Sequence, residues 1–204
     1  GQQAEADANS AFFLFAFIVG IFLMSILLMI QLNSFYQVFI IVSAVILSTA
    51  GVQLGLLVTQ QISSALFTSL GVIALAGIVV NNNIVLVDTY NVISKENPNL
   101  SRDQIVVRTA AQRLRPIILT TATTVIGLLP LASGIGVDFY QRNIEIGGRV
   151  SEWWQPMSFA VVWGLTFASG LTLFLTPCWL MLPVAIRDTV RNIKKTFLKT
   201  ASER

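Results

Sequence analysis

Three consecutive amide side chains lie in the middle of a long apolar segment. Asn81, Asn82 and Asn83 interrupt a run from Gly77 to Val87 that is otherwise apolar. In a bilayer, a polar side chain without a partner costs free energy, so it usually faces other helices or a water-filled path. These amides are therefore the first candidates for a functional site.

The three amides cannot all point at one neighbour. Consecutive helical residues are about 100° apart, so three of them spread over roughly 200° of the helix surface. Asn81 and Asp88 are two turns apart and lie near one face. The alternative role for these amides is to hold helices together, through hydrogen bonds worth roughly 1 kcal/mol each.

The composition is that of a membrane protein. No Asp, Glu, Lys or Arg occurs between Ala8 and Val87, and the whole chain is 54% hydrophobic and 11% charged. A soluble domain needs charges on its exposed faces, so this pattern excludes one. The net charge of +3 comes mostly from one loop and the C-terminal tail, which indicates membrane orientation rather than nucleic-acid binding.

The predicted fold is an all-α membrane protein, since about 20 apolar residues make one crossing. Five transmembrane helices are expected at residues 11–30, 36–58, 66–92, 116–133 and 156–182. A short cytoplasmic amphipathic helix at 101–114 precedes the fourth span, with Ser101 as its N-cap. Pro116 suits the first turn of that span, and the loop 134–155 is polar and rich in glycine.

The distribution of basic residues predicts the orientation. The segment from Ile93 to Arg115 carries five, Lys95, Arg102, Arg108, Arg113 and Arg115. The tail 187–204 carries six, Arg187, Arg191, Lys194, Lys195, Lys199 and Arg204. By the positive-inside rule the C-terminus is cytoplasmic and the N-terminus lies outside, as five spans require.

The sequence offers little for catalysis. It has no histidine and a single cysteine, Cys178, and no nucleophile, metal-ligand or phosphate-binding motif. We therefore expect no enzymatic activity, no cofactor and no metal. The chain begins without Met or a signal pattern, and we expect it to be a fragment of a longer polypeptide.

Three segments carry a family resemblance. They are Gln31-Leu32-Asn33-Ser34-Phe35, Gly77-Ile78-Val79-Val80-Asn81-Asn82 with Ile84-Val85-Leu86-Val87-Asp88, and Arg113-Leu114-Arg115-Pro116-Ile117-Ile118-Leu119-Thr120-Thr121 continuing into Gly127-Leu128-Leu129-Pro130. In order and spacing the chain resembles the C-terminal membrane half of resistance–nodulation–division (RND) transporters, especially exporters of the acriflavine-resistance type.

The resemblance implies the last five of twelve spans in a proton-driven exporter of drugs or other amphiphiles. Residues 1–10 would end a periplasmic domain, 11–186 would form the transmembrane domain, and 187–204 a basic cytoplasmic tail. The implied partners are the N-terminal half of the same transporter, two further copies in a homotrimer, a periplasmic adaptor, an outer-membrane channel and membrane lipid. The implied location is the bacterial inner membrane.

The resemblance also assigns roles to side chains. In the family, two aspartates in the other half take up the proton, and their partners here would be Asn81, at a position often held by Lys, with Arg113 and Thr120. Asn82 joins these as a relay candidate, although a packing role is equally open for it. Asp88 and Thr124 are secondary polar candidates. For Asp88 we expect an interfacial carboxylate, for which the bases of the following loop are candidate partners.

Two residues depart from the family pattern. Asn81 supplies no positive charge to lower a carboxylate pKa, which leaves coupling through Arg113, a changed operating pH, or loss of coupling as alternatives. Asn83 stands where a small residue is usual, and we expect it to hold helices together.

Two functions outside drug export also remain open, a non-transporting membrane scaffold and an RND relative that moves lipids or assists protein export.

Overall fold

The computed structural model describes residues 2–60, 64–138 and 143–202. Its helices are α1 (Gln2–Leu32), α2 (Phe35–Thr59), α3 (Ala65–Glu96), α4 (Arg102–Ala132) and α5 (Arg149–Ser202). All five contain apolar segments long enough to cross a membrane. The predicted all-α fold with five spans is confirmed.

Between α4 and α5 the chain forms a small antiparallel hairpin. Its strands are β1 (Ile135–Asp138) and β2 (Asn143–Ile146), and Ile135 pairs with Ile146. The sequence predicts only a glycine-rich loop here. We call this end of the bundle the hairpin end, and the end with the connection between α3 and α4 the basic end.

Local sequence signals set several helix ends. Ser101 and Gln104 form a reciprocal capping box at the start of α4, as the predicted N-cap requires. Ser64 caps α3 by accepting a hydrogen bond from the Phe67 amide. Asn33 and Gln60 follow α1 and α2 with φ of 47° and 52°, the left-handed conformation that ends a helix.

The predicted break at Pro116 is wrong. The amphipathic helix expected at 101–114 and the span expected at 116–133 form one continuous helix, α4. Ile105, Val106 and Thr109 are buried before the proline and Ile117 is buried after it. Val106 and Ile117 belong to one apolar cluster with Leu86 of α3. Packing on both sides therefore carries the helix across Pro116, whose ring removes only one backbone hydrogen bond.

Helix α3 contacts each of the other four helices, and α5 packs against α2, α3 and α4. It runs in the same direction as α3, so Gly71 lies against Ala160 and Gly164 lies against Leu75. It runs opposite to α2, with Gly51 against Phe167 and Gly55 against Trp163. Helix α1 contacts only α2 and α3 among the described helices.

Close approach of α3 and α5 depends on glycine. A Cβ added to Gly71 would lie 2.8 Å from the Met157 carbonyl oxygen and 2.9 Å from the Ala160 Cβ. Neither atom is the end of a flexible side chain, so the helices themselves would have to move. A Cβ added to Gly170, on the exposed side of α5, would meet nothing within 4 Å.

We expect Gly71→Ala to lower the free energy of unfolding by about 1–3 kcal/mol, as overpacking of a close contact does. The matched control Gly170→Ala should leave stability unchanged or raise it by up to about 1 kcal/mol, because alanine is the better helix former. Thermal denaturation of the complete protein that contains this chain, in detergent, compares the two. Equal melting temperatures for the two variants would contradict the close α3–α5 contact.

Candidate functional site

Asn83 forms a buried polar node between α3 and α5. The residue is 0% exposed. Its Nδ2 donates to the Val79 carbonyl at 2.9 Å and to Thr172 Oγ1 at 3.2 Å, and its Oδ1 accepts from Thr176 Oγ1 at 2.8 Å. The node therefore uses both amide hydrogens and the amide oxygen. The packing role predicted for Asn83 agrees with this geometry.

The node fixes the rotation of α3 about its axis. Asn81 precedes Asn83 by two residues, so it lies about 200° away around the helix and points away from α5. It is exposed, as are its neighbours on the same side. We call this side the open face of α3, and it consists of Ala74, Gly77, Asn81, Val85, Asp88 and Val92.

The amides on and beside the open face lack partners. Asn81 is exposed and Asn82 is half-buried, and neither side chain forms a hydrogen bond within the described part of the chain. An unpaired amide in the middle of a membrane span is costly. A polar group from another segment that packs on the open face would therefore lower the free energy of the folded protein by pairing with these amides.

Thr120 and Thr124 are satisfied by their own helix. Thr120 Oγ1 donates to the Ile117 carbonyl at 3.0 Å, and Thr124 Oγ1 donates to the Thr120 carbonyl at 2.8 Å. This is the usual behaviour of threonine inside a helix. Each hydroxyl oxygen keeps its capacity to accept, so Thr120, which is exposed, can receive a hydrogen bond from a partner segment.

Arg113 is held at the basic end of the bundle. Its side chain is half-buried, and its Nε donates to Thr89 Oγ1 on α3. The Thr89 hydroxyl in turn donates to the Val85 carbonyl at 2.7 Å. Thr89 follows Asn81 by eight residues in the sequence, which is about 12 Å along a helix at 1.5 Å per residue. Arg113 and Asn81 therefore lie at different depths.

Asp88 and Arg113 line a cleft between α3 and α4 with a volume of about 240 Å³. Glu96 and Arg108 line it as well. Asp88 forms no ion pair with any residue whose side chain the structure describes. The expected pair between Asp88 and a base of the following loop is therefore not found among the described residues, and Arg108 and Arg113 of α4 only share the cleft with it.

The relay candidates are therefore not assembled into one site by this chain. Asn81, Asn82 and Asp88 lie on α3, Thr120 lies on α4, and no hydrogen bond joins these residues within the described ranges. Arg113 reaches α3, but at Thr89. What the chain offers is a set of polar groups at two depths beside an uncovered helix face.

Several polar contacts between helices were missed by sequence reasoning. Gln37 and Asn91 exchange two amide hydrogen bonds, at 2.7 and 3.1 Å, between α2 and α3. Thr121 and Ser169 are 2.6 Å apart between α4 and α5. The sequence signal for such a contact is a polar residue at the same depth in each of two spans. This signal identifies the pair only when it is already known which helices are neighbours.

Most of the chain has counterparts among known proteins. The profile of the AcrB/AcrD/AcrF family matches residues 1–183. The multidrug resistance protein MdtC of Citrobacter koseri is 34% identical over 134 residues, which are 64% of this chain and 12% of that protein. The swarming motility protein SwrC of Bacillus subtilis is 32% identical over 162 residues, 79% of this chain and 14% of that protein.

A crystal structure of a heavy metal efflux pump superposes with a TM-score of 0.63 at 30% identity, covering 79% of this chain and 15% of that chain. A second crystal form gives a TM-score of 0.64 at 29% identity, covering 88% and 16%. The chain thus spans only a small part of the length of each of these proteins.

The Asn83 node yields a prediction about stability. We expect Asn83→Leu and Thr176→Val to be coupled by about 0.6–1.7 kcal/mol in a double-mutant cycle, the range for a hydrogen bond between membrane helices. The control pair Asn83→Leu and Thr121→Val shares no contact and should be additive within about 0.5 kcal/mol. Unfolding of the complete protein in detergent measures both, and equal coupling in the two cycles would rule out the node.

Proposed function

This chain belongs to the AcrB/AcrD/AcrF family, and on that premise we propose that it is the C-terminal membrane half of a proton-coupled RND-type efflux pump permease. In this role it relays proton movement to drive export of drugs or other amphiphiles. The name of MdtC, a multidrug resistance protein, supports this class of substrate.

The open face of α3 is the observation that carries the proposal. Asn81 lies there without a partner, two residues from an amide whose hydrogen-bonding groups are all used. A bilayer would leave Asn81 unsatisfied. A complementary polar surface is what the N-terminal half of the transporter would bring, in the form of its two aspartates.

Asn81 suits a partner that changes its protonation state. An amide both donates and accepts. It can donate to a carboxylate, and it can accept from the same group once that group is protonated. A lysine in this place would only donate, and it would lower the carboxylate pKa by its charge. Asn81 brings no such charge, and we assign that role to Arg113, which Thr89 holds at the basic end, about 12 Å farther along α3.

The proposed assembly follows the family. The chain would pair with the N-terminal half in the same polypeptide and form a homotrimer in the bacterial inner membrane, working with a periplasmic adaptor and an outer-membrane channel. The five basic residues in the parts of α3 and α4 that flank their connection support a cytoplasmic basic end and a periplasmic hairpin end. We propose transport rather than catalysis as the activity.

Efflux measurements test the proposal. Pump-deficient bacteria that express the complete protein should extrude a fluorescent amphiphile, and a protonophore should abolish the extrusion. Arg113→Ala should reduce efflux to the background rate, because it removes the charge next to the open face. Arg115→Ala is the control, since Arg115 is exposed and has no partner within the described residues, and it should extrude normally.

The same assay separates the proposal from a scaffold role. A protein that reaches the membrane and melts cooperatively, but gives no efflux for a panel of cationic, neutral and anionic amphiphiles, would favour a non-transporting subunit. Normal efflux by the Arg113→Ala variant would show that the relay assignment is wrong while leaving transport itself established.

Replacement of Asn81 by lysine tests the role of the missing charge. We expect Asn81→Lys to move the pH dependence of efflux to lower pH by about 1–3 units, since a cation next to a carboxylate lowers its pKa by that amount. Asn81→Gln adds no charge and should leave the profile in place. The measurement is the initial efflux rate in vesicles across external pH, and coincident profiles for the two variants would place Asn81 away from the titrating group.

A further inference from the structure

Thr68 is a buried hydroxyl without a partner. The residue is 8% exposed, and its Oγ1 is the single buried side-chain oxygen or nitrogen without a hydrogen bond among the residues that the structure describes. Other threonines of the spans, such as Thr49 and Thr89, donate to their own helix. An unpaired buried hydroxyl calls for a group that is not part of this chain.

Thr68 lines a cavity of about 210 Å³ between α1, α2 and α3 at the hairpin end. Phe13 and Phe17 of α1 and Val72 of α3 form its apolar walls. Gln53 of α2 adds an amide, which forms no hydrogen bond within the described part of the chain. The cavity therefore combines an apolar surface with two free hydrogen-bond donors.

The hydroxyl groups of Ser10 and Thr68 lie nearer the outer end of this cavity than its deepest apolar residues. Ser10 and Thr68 lie within about one turn of the outer ends of their predicted membrane segments, Asp7–Leu32 and Leu66–Glu96. Phe17 and Ile73 line it about 7 to 11 Å deeper than Ser10 and Thr68, at 1.5 Å per residue. A polar outer end and an apolar inner end match the polarity of a lipid in a leaflet.

Size and charge narrow the class of ligand. A cavity of about 210 Å³ is larger than the roughly 150 Å³ that takes benzene, yet smaller than the about 300–1,000 Å³ of a site for a drug-sized molecule. Every described side chain that lines it is uncharged. It therefore suits part of a lipid, and an uncharged part rather than a phosphate.

We propose that this cavity binds the glycerol-ester region of a membrane lipid, with the start of one acyl chain between α1 and α3. The ester carbonyl accepts hydrogen bonds, and Thr68 Oγ1 and Gln53 Nε2 donate to it. The phosphate lies outside, beyond Ser10. This inference concerns binding alone, and it stands whether or not the chain exports amphiphiles.

Photolabelling with two matched lipids tests the site. The complete protein is placed in bilayers of ether-linked phosphatidylcholine that contain traces of a phosphatidylcholine with a diazirine near the start of its acyl chain. One probe is ester-linked and the other ether-linked, so they differ only in the carbonyl. Mass spectrometry then measures labelling of residues 10–17 and 68–73.

The ester probe should label these residues about fivefold more than the ether probe, the factor that corresponds to one hydrogen bond of about 1 kcal/mol. Thr68→Val should bring this ratio close to one, while Thr68→Ser keeps it. Thr49→Val should also keep it, because the Thr49 hydroxyl donates to the Ile46 carbonyl at 2.7 Å within α2. Gln53→Leu provides a second variant that lowers the ratio.

A ratio near one in the unmodified protein would overturn the proposal, as would a ratio that neither Thr68→Val nor Gln53→Leu lowers. Absence of label from both segments would also overturn the proposal, because the lipid then does not enter the cavity. Labelling by the ether probe elsewhere on the chain is the internal check that each variant is folded in the bilayer.

Discussion

A polar side chain surrounded by hydrocarbon needs a hydrogen-bond partner inside the protein, and this requirement orients the bundle. Asn83 meets it through Val79, Thr172 and Thr176. Because these bonds reach from α3 to α5, they fix how α3 is rotated. Asn81 is then directed away from the core, and a partner outside this chain must satisfy it. One buried amide thus determines where the other is available for function.

Close packing works together with the node. Gly71 and Gly164 bring α3 and α5 near enough for the side chains of Asn83 and Thr172 to meet. A Cβ at Gly71 would lie 2.8 Å from the Met157 carbonyl oxygen, so α3 and α5 would have to move apart there. Packing and hydrogen bonding therefore constrain the positions of α3 and α5 together. Because α5 also packs against α2 and α4, the positions of these two helices depend on the same contacts.

The polar groups that remain unsatisfied mark where the chain meets other molecules. At mid-depth, Asn81 and Asn82 lie at or beside the open face of α3, which suits another protein segment. At the hairpin end, Thr68 and Gln53 line a cavity that suits a lipid. At the basic end, Arg113 is anchored to Thr89 beside Asp88, where a charge is available to water. In each place the chemistry of the free group selects the kind of partner.

The sequence by itself determined the membrane class, the five spans, the Ser101 cap and the family, because hydrophobic length, capping and motif spacing are local properties. It also indicated that Asn83 would hold helices together. The rotation of each helix was decided only by the tertiary structure. Pro116 continues α4 because Val106 and Ile117 pack in one cluster, and Thr121 rather than Thr120 contacts α5. Neighbours distant in sequence set such rotations, so no local pattern encodes them.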